Sequence, residues 1–388
     1  MTTKGVEGMA HWDAETAVVG LGAWGAAALW RLAARGVDVL GLERFTPGQA
    51  PGSSHGGSQL FRLACPEHPG LIPLAHRSRE LWAELEDAGQ TKLFVPSGGL
   101  LIGPEHGRVA GGTLRTAREY GVRVRTFTAT ALRIQYPRHV GLPRHHIGVW
   151  DPHAGLLRAE HAVRTTVTLA RNAGARVHTD TRVTSVELVP GGVHLHTPHG
   201  LVKVRQVVLA VGARLPALLP GLPLDTVRTP VTWFRPLESD GDFELEGFPA
   251  FVRELDDGRV LWGSGLEGGH DVRLGLEDPG AAAKPVEPED DDRSVTPDDW
   301  QDLARLLPAK VPGLRPLPAR IAMGLRTRTP DGQFVVGRPG DDARVVVAAG
   351  GNAHGFAHAP AIGEALADLV QGEPTKVPLG FLSPDRFD

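Results

Sequence analysis

The sequence is poor in the features that mark disulfide scaffolds, membrane spans and nucleic-acid surfaces. It contains one cysteine, Cys65, so no internal disulfide can form, and a reducing cytoplasm is the expected location. No apolar run approaches the roughly 20 residues of a membrane-spanning helix, so we expect no membrane association. The formal charge is −4 and no basic block is present, which argues against a nucleic-acid partner.

The length and composition are those of a two-domain globular protein. The chain has 388 residues, of which 41% are hydrophobic, and this is sufficient for two separate cores. Residues 1–13 are polar and lack the basic-then-apolar order of a signal peptide, so we expect a loose tail there.

The stretch 16–45, TAVVGLGAWGAAALWRLAARGVDVLGLERF, has the order of a βαβ unit. Residues 17–19 predict a short buried strand, because they are a continuous apolar run. The Ala- and Leu-rich residues 23–34 predict a helix, which Gly36 ends. Residues 38–42 predict a second strand. Strand, helix and strand therefore follow one another within 30 residues.

The turn of this unit carries a dinucleotide-binding pattern. Gly20, Gly22 and Gly25 follow in GxGxxG spacing, which suits a tight turn, a close approach to pyrophosphate and close helix packing. The helix N-terminus offers free N–H groups to the phosphates. Glu43, at the end of the second strand, is placed to bind ribose hydroxyls and favours FAD or NAD over NADP. A Gly-rich turn in some other α/β unit is the alternative.

The Gly- and Ser-rich stretch 48–62 predicts a loop that returns toward the nucleotide. Its candidate phosphate ligands are Ser53, Ser54, His55 and Ser58, and a solvated surface loop is an equal alternative. Arg62 follows on an apolar stretch and should be partly buried. A buried guanidinium needs an anion, either a structural carboxylate or a substrate carboxylate. Cys65 is most simply a small buried hydrophobic residue.

Residues 73–310 predict mixed helices and strands. We expect helices at 73–88, 112–120, 159–172 and about 296–307, with Thr296 as an N-cap. We expect strands within 93–103, 175–188, 191–204, 206–213, 230–234, 250–253 and 260–263. The stretch 276–300, which is dense in Asp, Glu and Pro, predicts a solvated loop.

The C-terminal part repeats the opening pattern. Strands are predicted at 319–330, 334–337 and 345–348, with Arg326 and Arg328 on one face of the first. A Gly-rich loop at 349–356 then precedes a helix at about 358–370. The positive end of such a helix could stabilise negative charge on a reduced flavin.

Three histidines lie in predicted loops, namely His145, His146 and His153. Adjacent histidines rarely converge on one ion, so we expect no metal site there.

Six motifs are specific as a set when they occur in one order and spacing. They are VVGLGAWG, GSSHGGSQLFR, WDPHAGLLRAEH, VVLAVGA, TRTPDGQFVVG and AAGGNAHGFAHAPAIGE. The chain resembles the flavin-dependent amine oxidases of the D-amino-acid oxidase superfamily, in particular the monomeric sarcosine oxidase and N-methyltryptophan oxidase branch. The resemblance covers residues 16–387. It implies an α/β fold with a Rossmann-type FAD-binding domain and a substrate domain on a mixed, largely antiparallel sheet. We expect the FAD domain to comprise 14–90, 151–225 and 320–388, and the substrate domain 91–150 and 226–319.

The resemblance also implies a reaction. Such enzymes oxidise a C–N bond of a small amine to an imine by hydride transfer to flavin N5, and oxygen or another acceptor then reoxidises the flavin. Oxygen would give peroxide, and water would hydrolyse the imine. We expect a monomer in specialised metabolism.

The resemblance assigns site residues by position. The cofactor-binding residues would be Gly20, Gly22, Ala23, Trp24, Gly25, Glu43, Arg44, Ser54, His55, Val183, Gly212, Gly351, His354, Gly355 and Phe356. The catalytic residues would be Arg62, Trp262, His270, Arg273 and Arg326. Among these, Arg62 matches an arginine that takes the substrate carboxylate in relatives. His270 is equally well explained as a solvent-exposed turn residue, and without the resemblance Arg273 and Arg326 would be taken for structural ion pairs or surface residues.

The departures from the family pattern are also informative. Gly324 stands where relatives attach flavin through a cysteine, so we predict noncovalent FAD. Arg273 replaces a lysine that promotes oxygen reduction, and Arg would spread the charge and lower oxygen reactivity. Relatives have a second lysine that binds the substrate carboxylate, and Ala357 stands at that position here. Two active-site tyrosines are replaced by Trp262 and Arg326, so a larger or differently charged amine than sarcosine is expected.

Two other functions would fit parts of the sequence. A nicotinamide-dependent dehydrogenase would explain the N-terminal motif but not the GGNAHGF loop. A flavin-binding protein that has lost catalysis would explain the missing lysines and tyrosines.

Overall fold

The computed structural model describes residues 11–49, 52–238, 240–278, 285–290 and 293–387. The predicted N-terminal tail therefore lies mostly outside the described residues, as do 279–284 and 291–292 of the predicted acidic loop. Among the described residues, we find no helix whose length and hydropathy would let it span a bilayer.

Strands and helices alternate through the first half of the chain, and long strands dominate its second half. The strands are β1 (Ala14–Val19), β2 (Val39–Leu42), β3 (Ser58–Phe61), β4 (Phe94–Val95), β5 (Gly99–Pro104), β6 (Arg125–Thr128), β7 (His146–Asp151), β8 (Gly155–Arg158), β9 (Arg176–His178), β10 (Ser185–Val189), β11 (Gly192–Thr197), β12 (Gly200–Leu209), β13 (Asp225–Phe234), β14 (Ala250–Glu254), β15 (Val260–Ser264), β16 (Val272–Glu277), β17 (Arg320–Arg328), β18 (Val335–Gly337) and β19 (Val345–Ala349). The helices are α1 (Ala23–Ala34), α2 (Leu71–Gly89), α3 (Ala110–Glu119), α4 (Ala129–Gln135), α5 (Ala159–Asn172), α6 (Leu215–Leu218), α7 (Gln301–Lys310) and α8 (Ala359–Gln371).

The first sheet has the order β10-β11-β12-β1-β2-β9, with β19 beside β12 and β18 beside β19. The pairs that flank β1 are parallel, as are β2 with β9 and β12 with β19, whereas the hairpin strands and β18 are antiparallel. Both faces of β1 are buried, since Val18 packs against the helices and Val19 into a second cluster on the opposite face. Burial on both faces explains why the strand is a continuous apolar run.

The second sheet is mixed and has the order β17-β13-β16-β15-β14-β5-β7-β6. Most of its pairs are antiparallel, and β14 with β5 is parallel. A small third sheet contains β3, β8 and β4. The predicted fold class, an α/β dinucleotide-type sheet with a second, largely antiparallel sheet, is therefore confirmed.

Several predicted elements need correction. The stretch 48–62 is not all loop, because Ser58–Phe61 form β3 and pair with β8. The predicted strands at 191–204 and 206–213 share one long strand, β12, which pairs with the hairpin first and with β1 further on. The start of the predicted acidic loop belongs to β16. Residues 320–328, placed in the FAD domain by the sequence, form β17 and pair with β13 of the second sheet.

Helix α8 packs very closely on α1 through a glycine. A Cβ at Gly363 would lie 2.4 Å from Ala27 Cβ and 2.5 Å from the Ala27 carbonyl carbon. Both partners belong to the backbone or its first side-chain atom, so neither can rotate away.

We therefore expect Gly363→Ala to destabilise the protein by about 1–3 kcal/mol through overpacking. The measurement is the melting temperature, which should fall in this variant. The matched control is Gly380→Ala, because a Cβ at Gly380 meets nothing within 4 Å. An equal melting temperature for the two variants would contradict the close packing.

Candidate functional site: a dinucleotide cleft that continues into a polar cavity

The glycine motif forms a tight turn at the carboxyl end of β1. Gly20 has a φ of 87°, and a Cβ there would lie 2.7 Å from the Ala210 carbonyl oxygen. A Cβ at Gly25 would lie only 1.8 Å from the Gly20 carbonyl oxygen. Neither position accepts a side chain, which is the geometry that a dinucleotide turn requires.

Glu43 and Ser54 both bind the backbone of this turn. Glu43 accepts hydrogen bonds from the backbone N–H of Leu21 at 2.6 Å and of Phe45 at 2.9 Å. Ser54 Oγ accepts one from the Ala23 N–H at 3.1 Å. Each carboxylate oxygen of Glu43 keeps a lone pair, so the residue can still accept from a ribose hydroxyl.

The Gly-rich loop near the C-terminus meets the same turn. Trp24 Nε1 donates to the Gly355 carbonyl at 2.8 Å. The loop is also tied to the end of β17, because Asn352 N donates to Thr327 O and Thr329 N donates to Asn352 Oδ1, both at 3.1 Å. Asn352 and Ala353 have φ values of 45° and 69°. Non-glycine residues in this region carry backbone strain, which concentrates at ligand sites.

One cavity of about 1290 Å³ runs from the turn to the second sheet. Of the cofactor-binding residues predicted from the sequence, all except Gly25 line it, and of the predicted catalytic residues Arg62, Trp262, Arg273 and Arg326 line it. Gly25 lies beneath the turn instead, where it permits the close approach of α1. The structure thus brings both ends of the chain and the middle to one groove.

The walls of the cavity carry buried polar atoms that fit a polar cofactor and substrate. Several have no hydrogen-bond partner in the described part of the chain, namely His55 Nδ1, Glu67 Oε2, Thr229 Oγ1, Arg273 Nε, Arg326 Nε and His354 Nε2. Buried polar atoms are normally paired, so a set of unpaired ones around a cavity indicates a missing polar ligand.

Two histidines that line the cavity each have one buried ring nitrogen without a hydrogen-bond partner among the described residues. His55 Nε2 lies 3.3 Å from the Met323 carbonyl, and His354 Nδ1 lies 2.8 Å from the Asn352 carbonyl. Because a carbonyl can only accept, these nitrogens carry the protons, and His55 Nδ1 and His354 Nε2 are acceptors. Burial lowers the pKa of both imidazoles, which favours these neutral forms.

Arg62 is buried and already has an anion. Its Nη2 forms a salt bridge with Glu67 Oε1. Burial is the largest single influence on the pKa of the Glu67 carboxyl and alone would raise it, but the Arg62 charge together with smaller contributions from hydrogen bonds and neighbouring groups lowers the pKa to about 2. Both residues line the cavity, and Glu67 Oε2 has no partner among the described residues. The pair therefore presents a guanidinium and a free carboxylate oxygen side by side.

Arg273 lies on β16 and is buried among backbone carbonyls. Its Nη1 donates to the Gly56 carbonyl at 3.3 Å and to the Ser58 carbonyl. Its guanidinium lies 5.5 Å from the centre of the Trp262 ring, within cation–π range. Glu267 Oε1 is 4.0 Å from Arg273 Nε. Burial is the main cause of a lowered pKa for Arg273.

Arg326 and Trp262 both line the cavity. Arg326 Nη1 lies 2.9 Å from Glu277 Oε1, so this arginine is an ion-pair partner. The Trp262 ring lies over Gly275, where a Cβ would be 2.1 Å from ring atom Cζ2. A glycine on the neighbouring strand thus makes the space that this large ring needs.

His55 and Gly324 also depend on each other. A Cβ at Gly324 would lie 2.7 Å from His55 Cε1. Any larger residue at position 324, including a cysteine that could bind flavin covalently, would have to displace this buried imidazole. The geometry supports noncovalent cofactor binding.

The remaining histidines lie away from the cavity. His270 is exposed on the loop before β16 and does not line the cavity. His145 and His146 do converge with Asp256, with ligand atoms within 4.8 Å of one another, contrary to the expectation for neighbouring histidines. His153 is not part of this group, and the absence of a bound metal stays a prediction.

The sequence reasoning missed the carboxylates of the site. Glu67, Glu267 and Glu277 each neutralise one of the cavity arginines. The signal available for the first was its position five residues after Arg62, in the short segment that follows β3. Glu267 and Glu277 come close to Arg273 and Arg326 only because of the strand pairing in the second sheet, which leaves no local signal in the sequence.

Fold and cavity together define a dinucleotide-binding oxidoreductase with a two-sheet architecture. Residues 15–369 match the family described as DAO, FAD dependent oxidoreductase. The chain is 32% identical to monomeric sarcosine oxidase of Streptomyces avermitilis, over 95% of this chain and 97% of that protein. It is 30% identical to N-methyl-L-tryptophan oxidase of Yersinia pestis, over 97% of this chain and all of that protein.

A solved structure resembles the whole chain. The open form of NikD, an unusual amino acid oxidase essential for nikkomycin biosynthesis, superposes with a TM-score of 0.82 at 25% identity, covering 96% of this chain and 98% of that one. The chain belongs to the DAO family of FAD dependent oxidoreductases. The predictions of the family, of FAD as cofactor and of an FAD-dependent enzyme of the amine and amino-acid oxidase class are confirmed.

The Arg62–Glu67 pair predicts a specific acid response. Because the folded-state pKa of Glu67 is lowered, its stabilising contribution is complete above the ordinary pKa of 4.5 and is lost as the pH falls toward 2. We expect Glu67→Gln to melt at a lower temperature than the unsubstituted protein at pH 6. This difference in melting temperature should narrow between pH 5 and pH 3. In the control Glu80→Gln, which removes an exposed carboxylate, the gap should be small and constant. A constant gap for Glu67→Gln would disprove the assignment.

Proposed function

We propose that this enzyme oxidises the C–N bond of an amine or amino-acid-like substrate to an imine. The observation that carries the proposal is the single cavity, whose walls contain the dinucleotide turn at one end and Arg62, Trp262, Arg273 and Arg326 at the other. When bound, FAD would supply the hydride acceptor at N5 and the route by which the electrons reach oxygen or another acceptor.

The residues of the chain bind and orient the substrate. Arg62 offers a guanidinium to a substrate carboxylate, and the free Oε2 of Glu67 lies beside it to accept from the substrate amine. Such a pair suits an amino acid, which carries both groups, better than an amine with one charge. Orientation by this pair brings the reacting carbon to a fixed place, and a strong base is not required.

The pocket supports a substrate other than sarcosine. Arg326 is held by Glu277, and Ala357 stands where relatives place a carboxylate-binding lysine, so neither adds an unpaired cation. The broad indole of Trp262 offers a flat apolar surface beside the charged pair. A larger, amino-acid-like amine fits this combination. We also propose that the protein acts as a monomer.

The test is an anaerobic panel of secondary amines and amino acids, read by bleaching of the bound flavin. We expect at least one amino-acid-like amine to bleach it, and a panel with no bleaching would favour a flavin protein without catalysis. In Arg62→Gln combined with Glu67→Gln, substrate binding should weaken at least tenfold with little change in FAD binding, because one charge-assisted pair to the carboxylate is worth about 1.5–3 kcal/mol.

The double substitution is preferred to Arg62→Ala because it leaves no unpaired buried charge. Equal losses of substrate and FAD affinity would contradict the role given to Arg62.

Arg273 is a buried guanidinium on the substrate side of the cavity, and its nearest carboxylate, that of Glu267, is 4.0 Å away. We expect Arg273→Met to slow reoxidation of the flavin by oxygen more than its reduction by substrate, because a fixed cation stabilises the charge that develops on oxygen. Stopped-flow absorbance separates the two half-reactions. Arg326→Met is the control, since Glu277 lies 2.9 Å from that arginine, whereas Glu267 lies 4.0 Å from Arg273. An unchanged oxygen rate in Arg273→Met would refute the assignment.

A further inference from the structure

Three arginines from three strand ends converge on one carboxylate. Arg44 follows β2, Arg182 lies between β9 and β10, and Arg214 follows β12. Arg44 Nη1 and Arg214 Nε lie 2.6 and 2.9 Å from Glu289 Oε1, and Arg182 Nη1 lies 3.4 Å from Oε2. We call these four residues the Glu289 clasp.

The clasp lies at the adenosine end of the cavity. All four of its residues line the cavity, and each arginine is within two positions of a predicted cofactor-binding residue, namely Glu43, Val183 or Gly212. Because β12 and β2 pair in parallel with β1, and β9 pairs in parallel with β2, their carboxyl ends share the edge of the sheet at which dinucleotides bind.

Glu289 itself comes from the other side of the molecule. It belongs to the segment 285–290, between β16 of the second sheet and α7. Val286 N donates to the Thr226 carbonyl on β13 at 2.8 Å, which ties this segment to the second sheet. The clasp is therefore a connection from the second sheet to the first sheet across the adenosine end.

The charges of the clasp favour a firm closure. Burial alone would raise the pKa of Glu289, but hydrogen bonds from Arg44 and Arg214 lower it, so the carboxylate stays ionised. The guanidinium groups of Arg44 and Arg214 also lie 5.0 and 5.7 Å from the centre of the Phe45 ring, which lines the cavity as well. Networks of this kind contribute more than isolated surface pairs do.

The position of the clasp meets a need created elsewhere in the chain. Gly324 leaves no covalent anchor for flavin, and a residue with a side chain there would collide with His55. We propose that the Glu289 clasp retains FAD by closing the adenosine end of the cavity, so that a carboxylate with three arginines does noncovalently what a covalent bond cannot do here. The inference rests on FAD binding and is independent of the substrate proposed above.

The experiment measures the rate of FAD release from the holoenzyme, by filtration at intervals after dilution and absorbance of the free flavin. We expect Glu289→Gln to release FAD about tenfold faster, which corresponds to about 1.4 kcal/mol shared among three partly exposed ion pairs. Release from the unsubstituted enzyme should accelerate with added salt, and release from Glu289→Gln should respond much less. The matched control is Asp302→Asn, which removes the exposed pair with Arg305 on α7 and should leave release unchanged.

A second variant guards against repulsion among the three arginines as the cause. Arg214→Gln removes a cation in place of the anion, so it weakens the clasp without adding repulsion. Faster release in both variants supports the clasp. Faster release in Glu289→Gln alone overturns it, and so does a lower melting temperature of the FAD-free protein with unchanged release. The amine panel plays no part in this readout, so failure of the clasp and failure of the proposed oxidation are distinguishable.

Discussion

The structure depends on the contact between the turn after β1 and the first turn of α1. A Cβ at Gly25 would lie 1.8 Å from the Gly20 carbonyl oxygen, so two bare backbone segments touch there. This contact fixes the direction of α1 and places its N-terminus at the cavity, which Gly22, Ala23 and Trp24 line. Helix α1 then holds α8 through Ala27 and Gly363, and Trp24 holds the Gly355 loop. The cofactor groove follows from this one close approach.

The second theme is the neutralisation of buried cations. Arg62, Arg273 and Arg326 would each be costly to bury alone, and each has a carboxylate within 4.0 Å. The cavity therefore combines many polar groups with little net charge. A substrate that carries both charges can exchange partners with such a pair without leaving a charge unmatched. This property distinguishes the pocket from one with a single exposed arginine.

The sequence predicted best where local rules act alone. Helices α1 and α5 have the predicted bounds, because their Ala- and Leu-rich or amphipathic patterns and their stops are local. Strand β16 and the sheet membership of β17 were not predicted, since strand pairing across a long separation leaves no local signal. The same limit explains why Gly324 was recognised by its position while its contact with His55 was not. The glutamates that face the arginines lie on other strands and loops, and acidic residues are common everywhere.

The pairing of β12 with both β1 and β19 has a consequence for biosynthesis. In chain order, β1 leaves the ribosome long before β19, which begins at Val345, and the Gly355 loop comes later still. Domains that need such distant segments fold slowly and only after most of the chain is made. Several hundred residues are synthesised after the glycine turn before the opposite wall of the groove exists. Flavin loading is thus a late event, and any chain truncated before residue 345 lacks the means to keep the cofactor.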